Sequence, residues 1–493
     1  LYIVPLSIDK SAGRLSRFIT IEDIMRTLTM KFGGASVGTT TALTQVLSIV
    51  LQEHERWDHL LLVVSALDGV TDALIEAAQL AHLSNRRGYR RIAATLRTRH
   101  LSLVEQLPLG TSERNALQAD IDRLLFDMLD VCQTMADTPG ESSFPAMFDR
   151  IIGVGERLAA RIVAALLRQN NLRGVAIDAT DLIVTDNVFG NATPDMTLTR
   201  QRIAQNLLPM LTRSIIPVVT GFIGATPDGQ PTTLGRGGSD YTASILAVSA
   251  NADEVWMWTD VDGMMTADPQ EVPEARTISL LSYDEVAELA YFGARILHAR
   301  MIGPLRDNHI PLWVKNVFKP REAGTLIHDV NVEGAQTLKA VTSIPGLALT
   351  APYSGPLTEI SARIDEALFA TTGSHADVMI SAQSSAQSLV CFVIPTSAGP
   401  EAVRATRSAL EKRLQTEGSE TLWTIQAVTI VTTIGANLDE LTRLIAEIFQ
   451  ALNGIRILGI AQGPSRCSLS IIIDPKETDR ALSQIHEMLV NSD

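Results

Sequence analysis

The stretch LLLVVSALDGVTDALIEAA, residues 60–78, sets an unbroken apolar run, a turn carrying a glycine and a helix-like segment one after another. Strand, loop and helix in that order are the repeating unit of an α/β domain. Working outward, residues 215–220, 254–259 and 311–314 are further short strand candidates, each beside a helical segment. The pattern predicts an α/β domain with a largely parallel sheet. Between residues 80 and 138 the chain is Arg-rich and helix-periodic with few β-branched residues, which reads as a helical subdomain or lid.

Past Leu326 the texture changes. Residues 337–493 carry the strand-like runs SLVCFVI and SLSIII and the helical segments EAVRATRSALEKRL and DRALSQIHEML. SAQSSAQSLVCFVI from Ser381 and IAQGPSRCSLSIII from Ile460 occupy matching places, each with an Ala-Gln pair ahead of a polar loop. A weak internal duplication of about eighty residues accounts for this.

At 493 residues the chain exceeds one ordinary domain and should hold roughly two to four. Apolar residues at 46% and charged residues at 19% give a globular profile, and a net charge of −14 disfavours nucleic acid and anionic membranes as partners. No apolar run is long enough to span a bilayer. Cys132, Cys391 and Cys467 form no metal-ligand spacing, which fits a reducing, cytoplasmic setting. Residues 1–25 have scattered charges and no cleavage-site pattern; with Met25 and Met30 just before the first motif, they read as an extension outside the native fold.

Four segments carry chemistry: KFGGASVG from Lys31, SALDGVTD from Ser65, TTLGRGGSDYTA from Thr232 and WTDVDGMMTADP from Trp258. Each pairs glycines with hydroxyls or charges where a strand should end. Glycines there let backbone amides turn inward, and a following helix adds its positive end, which makes an anion cradle. Neither the P-loop pattern nor the protein-kinase loop set is present. Lys31 stands just ahead of Gly33 and Gly34, with only Phe32 between, which favours a phosphate-facing role over a solvated lysine. Arg236 lies between Gly235 and Gly237, where a guanidinium fork can approach a carboxylate. Glu156 also suits the first turn of a helix, and Ser239-Asp240 also suits a helix N-cap.

Together with GERLAARI from Gly155 and YFGARILHA from Tyr291, these motifs resemble, in order and spacing, the aspartate kinase family. The resemblance implies an amino-acid kinase fold with a mainly parallel sheet over residues 26–327, followed by two α+β ferredoxin-like ACT domains over 328–493. One ACT unit is expected near 345–418 and the other near 337–344 plus 419–493, with the strands LKAVTSI and GLALTAPYS divided at Pro345-Gly346. It further implies ATP with Mg²⁺, L-aspartate as acceptor, and 4-phospho-L-aspartate as product on the route to lysine, threonine and methionine. Lys31 and Asp240 are the implied catalytic residues. Ser65, Thr71, Glu156, Arg236, Gly237, Gly238 and Ser239 would bind aspartate, with Glu156 on its ammonium. Gly33, Gly34, Ser36, Thr259, Asp260, Met265, Gln270, Arg295 and Ile296 would face the nucleotide, and Asp377 and Gln383 an effector, lysine or threonine. A homodimer through the ACT region is implied as well. His298 reads instead as a packed helix residue.

The chain departs from the family at Arg295, usually Lys, at Gln270, usually Arg, and at Met265, often Tyr. Gln270 and Arg295 are the only support for a different class of reading, a catalytically weak or silent amino-acid sensor. Another amino-acid kinase is the alternative within the enzyme class. Length leaves no room for a dinucleotide-binding domain after the second ACT-like unit, so a fusion to homoserine dehydrogenase is not expected within these residues.

Overall fold

The computed structural model describes residues 25–138, 143–292, 297, 299–329, 338–352, 356–372, 378–394, 399, 401–416, 423–436, 442–462 and 465–491. Residues 1–24 of the expected extension, Arg295, Ile296, His298 and Asp377 lie outside the described residues.

Up to residue 329 the strands are β1 (Thr27–Phe32), β2 (His59–Val64), β3 (Gly174–Ile177), β4 (Ile216–Thr220), β5 (Ile223–Ala225), β6 (Pro231–Thr233), β7 (Glu254–Thr259), β8 (Leu280–Leu281), β9 (Leu312–Asn316) and β10 (Thr325–Ile327). Eight of them form one sheet in the order β3-β4-β2-β1-β7-β9-β10-β8, while β5 and β6 make a separate hairpin. Every pairing in the large sheet is parallel except β9 with β10. Parallel strands must bury both faces, and the apolar runs do so by alternation. Leu28, Met30, Phe32, Leu60, Leu62 and Val64 enter one core layer with the helices Thr40–His54, Val70–His82 and Val154–Gln169. Leu61, Val63, Val255, Met257, Leu312 and Val314 enter the other with Gly238–Ala250, Tyr283–Tyr291 and Ala299–Asp307.

The Arg-rich stretch forms the long helices Arg86–Gln106 and Thr111–Asp137. Their apolar faces, including Leu96, Leu103, Ile121 and Met128, continue the first core layer. A helix tied into the core in this way is a subdomain and not a lid.

The remaining strands, β11 (Ala340–Ala351), β12 (Val378–Gln383), β13 (Ser388–Val393), β14 (Thr424–Ile434), β15 (Ile457–Gln462) and β16 (Ser468–Ile473), form an antiparallel sheet ordered β12-β13-β11-β14-β16-β15. Pro345-Gly346 does not divide β11 into two strands, as the sequence suggested. The ladder to β14 runs unbroken from Ala340↔Ile434 to Thr350↔Thr424. Pro345 loses only one donor, and its carbonyl still accepts from the Ile394 N–H at 3.0 Å. Gly346 lets β13 close in, since a Cβ there would lie 2.5 Å from the Phe392 carbonyl oxygen. Two βαββαβ units are interleaved as a result. The end of β11, helix Thr358–Thr372, β12, β13, helix Ala402–Thr416 and the start of β14 make one. The end of β14, helix Thr442–Ala451, β15, β16 and helix Thr478–Asn491 make the other, completed by the start of β11.

The second unit is seated directly on the parallel-sheet domain. Ala267 and Val272, from the segment after β7, are buried in one cluster with Val341, Val431, Ile448 and Ile485. The Val341 N–H donates to the Thr266 carbonyl at 2.8 Å, and Thr266 Oγ1 meets His486 Nε2 at 2.9 Å. Lys339 Nζ forms a buried ion pair with Glu285 at 2.7 Å, and Thr342 Oγ1 donates to the Phe292 carbonyl at 3.2 Å. No helix among the described residues is long and apolar enough to cross a membrane.

Candidate active site

In parallel α/β sheets ligands collect at the carboxyl ends of the strands, where the strand order reverses. Here the chain leaves β1 toward β2 on one side, and β7 returns on the other. The loops after β1, β2, β4 and β7 meet at that point, because Phe32 is in register with both Val64 and Trp258, and Val64 with Thr220.

Glycines set how closely these loops approach. A Cβ on Gly34 would lie 3.0 Å from the Ala66 carbonyl oxygen and 3.3 Å from the Asp68 amide nitrogen. The Gly33 N–H and Ser36 Oγ both donate to the Trp258 carbonyl, at 3.2 and 3.0 Å, which ties the β1 loop to β7. Gly34 opens the short helix Gly34–Val37, and the opening amides of a helix have no acceptor within it.

Lys31, the last but one residue of β1, points its ammonium at Asp240, with Nζ 2.5 Å from Oδ1 and both side chains about seven-eighths buried. Asp240 is in the first turn of helix Gly238–Ala250. The N-cap expectation for Ser239-Asp240 is corrected here: the cap is Gly237, which makes no side-chain capping bond. Ser239 is pressed against the β4 loop instead, since a Cβ on Gly221 would lie 2.7 Å from Ser239 Oγ. Gly235 and Gly237 have φ of +76° and +69°, so only residues without a Cβ fit the turn without strain. Arg236 between them is exposed, and its guanidinium makes no hydrogen bond or ion pair among the described residues.

Glu156 stands in the first turn of helix Val154–Gln169 and is 3% exposed. Its Oε1 accepts from the Ala66 N–H at 3.2 Å, while its buried Oε2 has no hydrogen-bond partner among the described residues. Burial lifts its carboxyl from the ordinary 4.5 to about 7, against the pull of the Ala66 amide, Arg157 and Lys31. Gly155 makes this placement possible: a Cβ there would be 2.6 Å from that of Ala66.

Ser65 follows β2, its N–H bonded to the Phe32 carbonyl, and Thr71 is in the first turn of Val70–His82 above an αL Gly69. Thr259 Oγ1 donates to Asp260 at 3.2 Å beside the same strand ends. The chain then turns away. Asp262 is bound by Asn316 and Lys319, both at 2.6 Å. Met265 sulfur accepts from Thr277, and Gln270 is on an exposed turn beside Val272, which is buried against the ACT-like layer. Gln383 ends β12 and donates to Ser388 Oγ at 2.9 Å.

Two residues that sequence reasoning passed over brace the turn that carries Arg236. Buried Asp149 accepts from the Gly190 and Thr233 amides, both at 2.8 Å, and from Thr233 Oγ1 at 3.0 Å. Arg300 binds Leu234 and Asn191. An aspartate and an arginine on surface-patterned helices carry no local signal of such reach, because their partners are tens of residues away.

Residues 26–316 match the model of the amino acid kinase family, and residues 431–489 that of the ACT domain. The chain is 29% identical over 466 residues to the chloroplastic bifunctional aspartokinase/homoserine dehydrogenase 1 of Zea mays, covering 92% of this chain and 50% of that protein. It thus spans about half the length of such bifunctional relatives. To the lysine-sensitive aspartokinase 3 of Escherichia coli K12 it is 28% identical, over 93% of this chain and 98% of that one. The crystal structure of E. coli aspartokinase III with aspartate and ADP superposes with a TM-score of 0.74 at 26% identity, covering 94% of this chain and 99% of that one. The lysine and aspartate complex of the same enzyme gives 0.76 at 25%. With its strand-end loops and a family match over more than half of its length, the chain belongs to the amino acid kinase family, and it carries an ACT domain in its interleaved sheet.

Proposed function

We propose that this protein is an aspartate kinase, which transfers the γ-phosphate of ATP to the β-carboxylate of L-aspartate to give ADP and 4-phospho-L-aspartate. The observation that carries the reading is Glu156, a carboxylate buried with one oxygen left unpartnered, at a site that also offers an exposed guanidinium. An acceptor with an ammonium and two carboxylates supplies what each lacks: the ammonium for Glu156, the α-carboxylate for Arg236. Relatives named aspartokinase, one of them solved with aspartate and ADP, support the same acceptor and nucleotide.

The chemistry needs no general base. A β-carboxylate with a pKa near 3.9 is already ionised, so its oxygen attacks phosphorus while the bond from γ-phosphorus to the bridging oxygen breaks and ADP leaves with the electron pair. Lys31, released in part from Asp240, neutralises the charge on the moving phosphoryl group, and Ser65, Thr71 and Ser239 shape the acceptor pocket. Magnesium would enter with the nucleotide as MgATP, bridging its phosphates and offsetting their charge.

The interleaved sheet is read as a regulatory layer that binds lysine or threonine, pairs two chains about a two-fold axis and works in the cytoplasm, with its buried free cysteines in a reducing setting. Light scattering on the whole chain tests the pairing, and a monomer at micromolar concentration would contradict it.

Replacing Glu156 by Gln tests the acceptor assignment. The aspartate KM should rise roughly 30-fold or more, while the MgATP KM stays within about twofold, because a charge-assisted bond to the ammonium is lost. An unchanged aspartate KM would remove Glu156, and with it the reading of the site.

A further inference from the structure

The guanidinium of the exposed Arg236 makes no hydrogen bond or ion pair among the described residues that would fix its direction, yet bidentate capture of a carboxylate demands a defined one. Two left-handed glycines flank it, and glycines leave a turn free to move. Something outside the turn has to hold it.

The guanidinium of Arg300, on helix Ala299–Asp307, grips the turn from behind. Its Nη1 donates to the Leu234 carbonyl at 2.6 Å and to Asn191 Oδ1 at 2.7 Å, and its Nη2 to the Ala192 carbonyl at 3.3 Å. Its plane also lies over the Tyr241 ring, 4.9 Å from the centroid. Leu234 immediately precedes Gly235, and Tyr241 immediately follows Asp240. The two ends of the segment that carries Arg236 and Asp240 are therefore held by one rigid fork. Asn191 adds a third hold, because its Oδ1 stands 2.7 Å from where a Gly235 Cβ would be. Asp149 fixes the same loop from the opposite side through the Gly190 and Thr233 amides.

We propose that Arg300 is a positioning residue that sets the aim of Arg236 on the acceptor's α-carboxylate, an inference that rests on the aspartate kinase reading. It touches no substrate; its donors are spent on the loop. Lysine in its place keeps the charge but reaches only one of the acceptors.

The test compares wild type, Arg300→Lys, Arg236→Lys and the double variant in steady-state kinetics, with aspartate binding followed by calorimetry so that affinity is read without turnover. Arg300→Lys should raise the aspartate KM and Kd roughly tenfold, with kcat within about threefold and the MgATP KM within about twofold. In the Arg236→Lys background the same change should add almost nothing, since the two residues act as one unit. A folded Arg300→Lys protein with wild-type aspartate affinity, or effects that multiply in the double variant, overturns the proposal. Should Arg300→Lys fail to fold, Asn191→Ala carries the test with an expected rise of roughly threefold, and no rise overturns the proposal equally. A wild-type chain that neither turns over nor binds aspartate defeats the kinase reading and this inference together; one that binds aspartate without turnover leaves the inference to be decided by the Kd series.

Discussion

Burial of Glu156 has a cost in the ligand-free protein that can be measured. Its carboxyl is raised from the ordinary 4.5 to about 7, so between those values the native state holds a proton that the unfolded chain has lost. Stability from this group is therefore lost as pH rises through the window, reaching on the order of 3 kcal/mol above pH 7. Glu156→Gln should accordingly melt above wild type at pH 8 without ligand and close to it at pH 4.5, and saturating aspartate should narrow the gap at pH 8 by supplying the missing ammonium. Melting curves from pH 4.5 to 8 check this; parallel curves for the two proteins would mean that the carboxyl titrates normally. The residues that mark this site were legible in the sequence because glycines and charges stood at strand ends. The ion pair of Lys31 with Asp240 and the vacant oxygen of Glu156 were not, since each joins segments far apart in the chain.

At the scale of elements, the strands of the parallel sheet were legible because burial on both faces writes an unbroken apolar run, as in β2. The edges were not. β3, β8 and β10 are two to four residues long and take their conformation from the neighbours they pair with. The unbroken β11 was hidden for a related reason: Pro-Gly is a local turn signal, and an eleven-pair ladder to β14 overrides it. The packing of helix Val154–Gln169 on the β2 loop links fold to chemistry. Gly155→Ala would put a methyl 2.6 Å from the Ala66 Cβ, forcing the helix and the loop apart. It should lower stability by about 1–3 kcal/mol and raise the aspartate KM by stretching the bond from the Ala66 N–H to Glu156. Denaturant titration alongside kinetics reads both, and an unperturbed KM would separate the helix packing from the site.

Over the whole molecule, the start of β11 and the residue before it touch two segments of the parallel-sheet domain, the one after β7 and the helix Tyr283–Tyr291 with its C-cap: Val341 meets Thr266, Lys339 meets Glu285 and Thr342 meets Phe292. The ACT-like layer and the parallel-sheet domain thus share contacts through which a shift in one could reach the other, provided that an effector binds two arrangements unequally. That layer was recognisable from its duplication, whereas its seat on the Thr266 to Val272 segment was not, because the apolar residues involved look like ordinary loop anchors. All of this presupposes the reaction itself. The most direct measurement is the rate of ADP formation from MgATP by the whole chain with aspartate, glutamate, an acetylated amino acid, a nucleoside monophosphate or no acceptor, the acyl phosphate being trapped with hydroxylamine and the aspartate reaction repeated with lysine and with threonine. The account expects ADP and hydroxamate in equal amounts with aspartate and only background with the others; ADP formation independent of aspartate, or selective for another acceptor, would contradict it.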